Sequence, residues 1–354
     1  MIPVGVLGAT GSVGQKFVSL LADHPWFRLT ALTASDRSAG KKYAEAVRWV
    51  QTTPLPGPIA EMTVLPTRPP IDCRLVFSAL DAAAAGPLEL EFARVGCLVV
   101  SNAQSHRMDP DVPLLIPEVN PDHLQLVSNQ SFGPGAILTN PNCSTIGLVL
   151  ALKPLHDRFG IRSLNVVTLQ AISGAGLPGL AGMEINDNVI PFIEGEEEKI
   201  ERETRKILGR LKNGRIREAE IVISAQCNRV PVIDGHTECV SIGLEKPASL
   251  NAVRESWEGF VSTPQQLRLP SAPAKPIHYQ ADDRHPQPRL HRNLEKGMAV
   301  SVGRLRDCPI LDLKFVILSH NTIRGAAGGA ILAAELAVSQ GLVRNPGGGS
   351  KPRP

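Results

Sequence analysis

Aromatic residues are scarce in this 354-residue chain: nine Phe, three Trp and two Tyr, 4% of the total. The net charge is only +3, and it is dispersed. Without a basic stripe or rings on which bases stack, the chain lacks the footprint of a nucleic-acid binder. Its six cysteines (Cys73, Cys97, Cys143, Cys227, Cys239 and Cys308) include no CxxC pair and no metal-ligand spacing. Reduced thiols and no metal centre are therefore expected. No apolar run approaches the ~18 residues of a membrane span, and Met1-Ile2-Pro3-Val4-Gly5-Val6 enters a strand without a basic leader. A soluble, cytoplasmic protein acting on a small molecule, with neither membrane nor nucleic acid as partner, is the expectation.

What is present is an ordinary apolar content of 43% over a length suited to two domains. The run 2–7 reads as a buried parallel strand. Gly8-Ala9-Thr10-Gly11-Ser12-Val13-Gly14 follows it, then a helical pattern through Phe17, Leu20 and Leu21. This GxxGxxG is a relative of the dinucleotide GxGxxG, in which glycines let the backbone approach a pyrophosphate at a helix N-terminus. A tight turn without a ligand would use the same glycines; the position after a first strand favours the nucleotide. Gly8, Thr10, Gly11, Ser12 and Val13 are candidate contacts. A second strand, 28–33, ends in Ala34-Ser35-Asp36-Arg37-Ser38, where the ribose is read. Ser35, Arg37 and Ser38 suit a 2′-phosphate and so NADP, whereas Asp36 would suit a free 2′-hydroxyl. The αβ alternation continues with a strand at 75–80, an alanine-rich helix from Asp81 and a strand at 97–100. Ser78, Ala79 and Asn102 then fall at the carboxyl ends of a parallel sheet, on the cofactor rim. The polar loop 101–111, carrying Arg107, is a candidate ligand contact.

Asn140-Pro141-Asn142-Cys143-Ser144-Thr145 places one thiol at the mouth of a helix predicted over 146–155. A lone cysteine is usually core filler, but free N–H groups at a helix start favour a thiolate. A domain boundary is expected near 140. Beyond it, a strand at 163–171 leads into Ser173-Gly174-Ala175-Gly176, which either lies against a flat ligand or simply turns. A charged helix follows over 193–208 and ends at Gly209. Strands at 221–226 and 237–244 flank Cys227-Asn228-Arg229-Val230-Pro231-Val232-Ile233-Asp234-Gly235-His236. A helix at 249–261, a loop at 264–276 and strands at 298–304 and 311–319 complete an open mixed sheet, one face of which could pair with a second subunit. From Asn321 an apolar helix runs to about Ser339 and is expected to return to the first domain beside the nucleotide. The tail 345–354 reads as disordered. The fold expected is α/β: an N-terminal Rossmann-like, doubly wound domain (1–141 with 322–354) plus an α+β catalytic and dimerisation domain with a mixed open sheet (142–321).

Seven stretches, GATGSVGQ, ASDRSAGKK, NPNCSTIGLVLALKPL, SGAG, GEEEKI, CNRVPVIDGHTEC and LSHNTIRGAAG, together resemble the aspartate-β-semialdehyde dehydrogenase family, in its archaeal and fungal form. They span the chain in the family's order. The resemblance implies an NADP-dependent enzyme, homodimeric or homotetrameric, that interconverts L-aspartyl 4-phosphate and aspartate 4-semialdehyde in the biosynthesis of lysine, threonine and methionine. Reducing an acyl phosphate needs a nucleophile that forms a carbonyl adduct, and a hydride donor beside it; a thiolate and a nicotinamide meet both needs. Cys143 is the candidate nucleophile and His236 the candidate acid/base, with His320 its rival. The Cys143 N–H and the Asn142 side chain form the candidate oxyanion site. The family pattern further implies that Gln170 orients the substrate and that Arg229 grips its carboxylate. Glu196 pairs with its ammonium, Glu197 and Glu198 being rivals in register, while Arg107 and Lys199 hold the phosphate. Ser173, Gly174 and Asn321 are further candidate cofactor contacts. Malonyl-CoA reductase and N-acetyl-γ-glutamyl-phosphate reductase share much of this chemistry and stand as alternatives. A catalytically silent NADP-responsive protein is the alternative of another class, and it would lack catalytic residues that are present here.

Overall fold

The computed structural model describes residues 1–343; the tail expected over 345–354 lies outside the described residues. Six parallel strands build the first sheet: β1 (Ile2–Leu7), β2 (Phe27–Ala34), β3 (Val64–Pro66), β4 (Leu75–Ser78), β5 (Leu98–Ser101) and β6 (Ala136–Thr139). Their order is β3-β2-β1-β4-β5-β6. Every residue of β4, β5 and β6 is buried, as expected where helices cover both faces of a parallel sheet. The order reverses between β1 and β4, so the crevice for a ligand opens at the carboxyl ends of these two strands.

Helix α1 (Ser12–Leu21) follows β1 and buries Phe17, Val18 and Leu21 on one face of this sheet. Helix α2 (Ala82–Arg94), with Asp81 as its N-cap, contributes Phe92 and Ala93 to the other. Two helices belong with the second sheet: α3 (Cys143–Phe159) and α4 (Glu196–Ile207). The expected helix at 146–155 begins three residues earlier. Asn142 Oδ1 accepts from the N–H groups of Ser144 and Thr145, which makes Asn142 the N-cap and Cys143 the first helical residue. Pro154 lies within α3 without ending it, and Gly160, at φ +70°, follows the last turn.

The second sheet is mixed and open. It contains β7 (Ile161–Gln170), β10 (Val222–Arg229), β11 (His236–Leu244), β12 (Ile277–Gln280), β13 (Val300–Asp307) and β14 (Leu313–Ser319), in the order β10-β7-β11-β14-β13-β12. A hairpin of β8 (Arg210–Lys212) and β9 (Arg215–Arg217) stands apart from it. In β7 the buried residues Leu164, Val166 and Thr168 alternate with exposed or half-buried ones. One face therefore packs on α3 and on α5 (Leu250–Glu258), whose Trp257 is fully buried; the other is open. The loop expected at 264–276 includes a short helical turn, Thr263–Gln266.

The last segment opens with a π-helical turn, Ile323–Ala327, before α6 (Gly328–Ser339). Helix α6 is apolar nearly all round and buried accordingly. Its Ala330, Ile331, Leu332 and Leu336 join β1, α1 and Phe77 of β4 in one core. Gly325 in the π turn is required by closeness, since a Cβ there would sit 2.8 Å from the Cβ of Cys143. The first strand and the last described helix thus share one core, with the thiol helix against the π turn.

Candidate active site

The glycine turn is built for close approach. Gly8 has φ +75°, and a Cβ on it would meet the Ala79 carbonyl at 2.7 Å, across the β1/β4 crevice. A Cβ on Gly14 would lie 2.2 Å from the Gly8 carbonyl, so α1 packs directly on the turn. Gly11, by contrast, has only ordinary contacts there. As N-cap it offers no side-chain acceptor, which leaves the first N–H groups of α1 for a ligand. Thr10 gives its carbonyl to the Gln15 amide. Ser35, Arg37 and Ser38 stand past the end of β2, where Ser35 and Arg37 are exposed and Ser38 is half-buried. Ser78 is fully buried beneath the rim, and Ala79 is half-buried at its edge.

A cavity of about 250 Å³ joins this turn to the thiol. Ser12 and Val13 line it from α1, Asn142 and Cys143 from α3, and Gln170, Ser173 and Gly174 from the end of β7 and its loop. Arg107, Glu196, Arg229 and Asn321 close it. Most of the site residues expected from the sequence thus converge on one space. Lys199 lies in the adjoining cleft, together with Arg107, Glu198 and Arg202. Asn321 Nδ2 donates to Ser173 Oγ while its Oδ1 accepts from the Gly235 N–H, tying the glycine loop to the approach to β11. A Cβ on Gly174 would come within 2.8 Å of the Arg229 guanidinium, which would have to shift to admit it.

His236 is completely buried behind Cys143, with its Nε2 3.1 Å from the sulfur. Cys143 bonds to this histidine; His320 bonds instead to Thr322. The other ring nitrogen, Nδ1, accepts the Ala171 N–H at 3.0 Å. An atom that accepts an N–H carries no proton, so in the neutral ring the proton sits on Nε2 and points at the sulfur. Burial, reinforced by Arg229 and His320, pushes the imidazolium pKa down to about 3. The histidine is therefore a neutral donor near neutral pH, not a group poised to titrate there.

The thiol departs from the sequence expectation. Burial, followed by the charge of Glu196, pushes its pKa up to about 12, against the opposing pull of Arg229 and Arg107. These influences oppose the helix start and favour the thiol form of Cys143, which is half-buried in the cavity wall. The expected oxyanion role of the Asn142 side chain also meets a competitor. Its Oδ1 caps α3, and its Nδ2 donates to both oxygens of Glu196, at 3.0 and 2.9 Å. Cys143, as the first helical residue, has an N–H with no acceptor inside the helix.

Glu196 is a hub. Besides Asn142 it accepts from Gln170 Nε2 and from Lys199 Nζ, at 3.3 and 3.0 Å. Glu197 instead accepts the Cys227 N–H, and Glu198 faces the neighbouring cleft. Arg229 gives one Nη to the Ala171 carbonyl and forms no salt bridge among the described residues. Arg107 is paired with Glu203 at 2.8 Å and with the Asn102 carbonyl at 2.7 Å. Glu203, whose second oxygen accepts the Asn142 N–H at 2.7 Å, was not singled out from the sequence. Neither was Lys206, which donates to three carbonyls of the Arg107 loop. Their offsets of seven and ten from Glu196 put them on the same helix face, the one signal that would have found them.

Comparison with known proteins identifies the family. The description "Semialdehyde dehydrogenase, NAD binding domain" matches residues 3–127, and "Semialdehyde dehydrogenase, dimerisation domain" matches residues 152–324. A Schizosaccharomyces pombe protein named aspartate-semialdehyde dehydrogenase is 51% identical over 353 residues, covering 96% of this chain and 99% of its own. One of the same name from Archaeoglobus fulgidus is 48% identical, covering 96% and 99%. The chain belongs to the aspartate-semialdehyde dehydrogenase family. Its fold also matches the crystal structure of the Candida albicans aspartate semialdehyde dehydrogenase with NADP at a TM-score of 0.91 and 46% identity, covering 97% of this chain and 100% of that one. The family's dimerisation domain maps onto the second sheet. No helix among the described residues is long and apolar enough to cross a membrane.

Proposed function

We propose that this protein catalyses the reversible, NADP-dependent reduction of L-aspartyl 4-phosphate to L-aspartate 4-semialdehyde and phosphate through a thioester on Cys143, in the biosynthesis of the aspartate family of amino acids. The observation that carries the reading is the His236-backed thiol in a cavity that also holds the open N-terminus of α1, an unpaired Arg229 and the Glu196 hub. The glycine turn, the free first-turn N–H groups and the exposed Ser35 and Arg37 beside Ser38 fit a dinucleotide with a 2′-phosphate. Bound NADPH would supply the hydride that reduces the thioester.

The chain's own residues do the remainder. Arg229 takes the substrate carboxylate, for which its planar fork is apt. The substrate ammonium meets Glu196, taking the place of Lys199, which is then free for the phosphate beside Arg107. Neutralising Glu196 also removes one of the two influences that raise the thiol. As sulfur bonds to the acyl carbon, phosphate departs and carries off the thiol proton as hydrogen phosphate. His236 does not take it, because Nε2 already bears the ring proton and Nδ1 is occupied. Nε2–H instead stabilises the thiolate when the aldehyde leaves, and a proton from solvent then restores the thiol for the next turnover. Gln170 orients the acyl group, and the Cys143 N–H receives the developing oxyanion. Residues 1–141 with 322–343 would bring the cofactor and 142–321 the substrate. The open face of the second sheet, with exposed Val222 on β10 and the exposed Met183 and Phe192 of the 177–193 loop, suits a homodimer, or pairs of dimers in a tetramer. Six unpaired thiols suit the cytoplasm.

Phosphate-dependent reduction of NADP by the purified protein tests this reading, with aspartate semialdehyde, malonate semialdehyde plus CoA, and N-acetylglutamate semialdehyde compared side by side. Turnover with the first alone, and preference for NADP over NAD, are expected. Preference for either other aldehyde overturns the substrate assignment, and equal use of NAD overturns the 2′-phosphate assignment.

A further inference from the structure

Helix α4 holds the two halves of the site together through residues that the proposed chemistry does not use. Glu203 is buried and bridges the Arg107 guanidinium to the backbone N–H of Asn142, the residue before the nucleophile, at 2.8 and 2.7 Å. One turn further, the Lys206 ammonium is buried without a carboxylate partner among the described residues. It donates to the carbonyls of Arg107, Asp109 and Val112 at 2.6, 2.8 and 2.9 Å. Three carbonyls from one loop satisfy all three N–H groups of a lysine. The loop between β5 and β6, which carries Arg107, is thereby fastened to the helix that also anchors the start of α3. Arg107 completes the circuit by donating to the Asn102 carbonyl at 2.7 Å.

We infer that Glu203 and Lys206 are positioning residues that set the Arg107 guanidinium and the Cys143 sulfur at one fixed separation, matched to a substrate with a phosphoryl group beside its electrophilic carbon. The inference rests on the reading of Arg107 as a phosphate ligand. Deleting either clamp lets the loop and the thiol helix move independently, and misplacement of this kind weakens reaction geometry far more than its size suggests. Glu203 acts on both partners. Lys206 acts on the loop alone.

The test is steady-state kinetics with phosphate, NADP and aspartate semialdehyde, comparing Glu203→Gln, Lys206→Met, Arg107→Ala and the Arg107→Ala/Lys206→Met double variant. Loss of a charged hydrogen bond predicts a rise in phosphate KM of about tenfold or more in each of the two positioning variants, with NADP affinity unchanged. In the Arg107→Ala background, Lys206→Met should raise it no further. The rate of Cys143 alkylation should change in Glu203→Gln and not in Lys206→Met. If the single variants lower kcat while phosphate KM stays put, the two residues are mere scaffold and the inference is overturned. If Arg107→Ala itself leaves phosphate KM unchanged, the fault lies in the phosphate reading. Should Lys206→Met fail to fold, Glu203→Gln decides alone, since it keeps the shape of the side chain.

Discussion

The nucleotide turn and the thiol pocket face each other across one cavity, yet they are built by opposite means. At the turn, backbone does the shaping: Gly8 and Gly14 allow main chain to touch main chain, and two side chains, Tyr43 and Gln15, donate to its Ala9 and Thr10 carbonyls. Around Cys143 the shaping comes from buried charge, with Glu196, Glu203, Lys206, Arg107 and Arg229 drawn from three separated stretches. The first arrangement tolerates no added atom, and the second tolerates no lost partner. Each region should therefore fail in its own way when disturbed.

The largest effect is expected at the thiol. Cys143→Ala should abolish turnover, because neither His236 nor any cavity-lining residue offers another nucleophile at that point, while NADP binding persists. Titration with NADP beside the activity assay measures both, and substantial turnover in the variant would sink the thioester route. At the turn the pattern should invert. Gly14→Ala places a methyl 2.2 Å from the Gly8 carbonyl, so overpacking of about 1–3 kcal/mol should lower the melting temperature and weaken NADP binding. The Cys143–His236 contact, probed by alkylation without cofactor, should survive. A Gly14→Ala protein with unchanged nucleotide affinity would show that the turn is not a cradle.

The same contrast explains what could be read in advance. The turn announces itself because its parts are six residues apart and each glycine answers a local need; the strand before it and helix after it follow from periodicity. The parallel first sheet and the open second one were legible for that reason, as was the apolar return of α6. In the pocket, residue types were legible and their electrical state was not. Cys143 at a helix start suggests a thiolate, but burial and Glu196 push the other way. A titrating His236 is a fair expectation from its ordinary pKa, and only the Ala171 N–H, 65 residues away in sequence, fixes its proton on Nε2. Glu203 and Lys206 sit in the charged helix expected over 193–208, and nothing local reveals that a loop 94 to 99 residues upstream folds over them.

The smallest expected effect sharpens the comparison by adding pH. Burial pushes the Lys206 ammonium down to about 8, while Asp109, Glu218, Glu203 and Asp111 pull the other way. Below that pH the lysine is charged and serves three carbonyls; above it the neutral amine keeps two protons and one carbonyl loses its donor. A lysine depressed by folding makes stability rise, not fall, as pH climbs from about 8 towards its ordinary 10.5. Loosening of the loop should therefore appear without unfolding. Inorganic phosphate passes from a mixture of monoanion and dianion to essentially all dianion over this range, a change that would lower the KM of a site for the dianion and so runs against the expected rise. Phosphate KM should climb about threefold between pH 7.5 and 9, roughly the loss of one hydrogen bond at the weak end of its range. Lys206→Arg, charged throughout, should flatten the profile whatever its absolute KM. The nucleotide turn has no titrating group in its backbone cradle, so NADP affinity measured on the same samples should stay level. An NADP profile that tracks the phosphate one would mean that the two regions are not built independently after all.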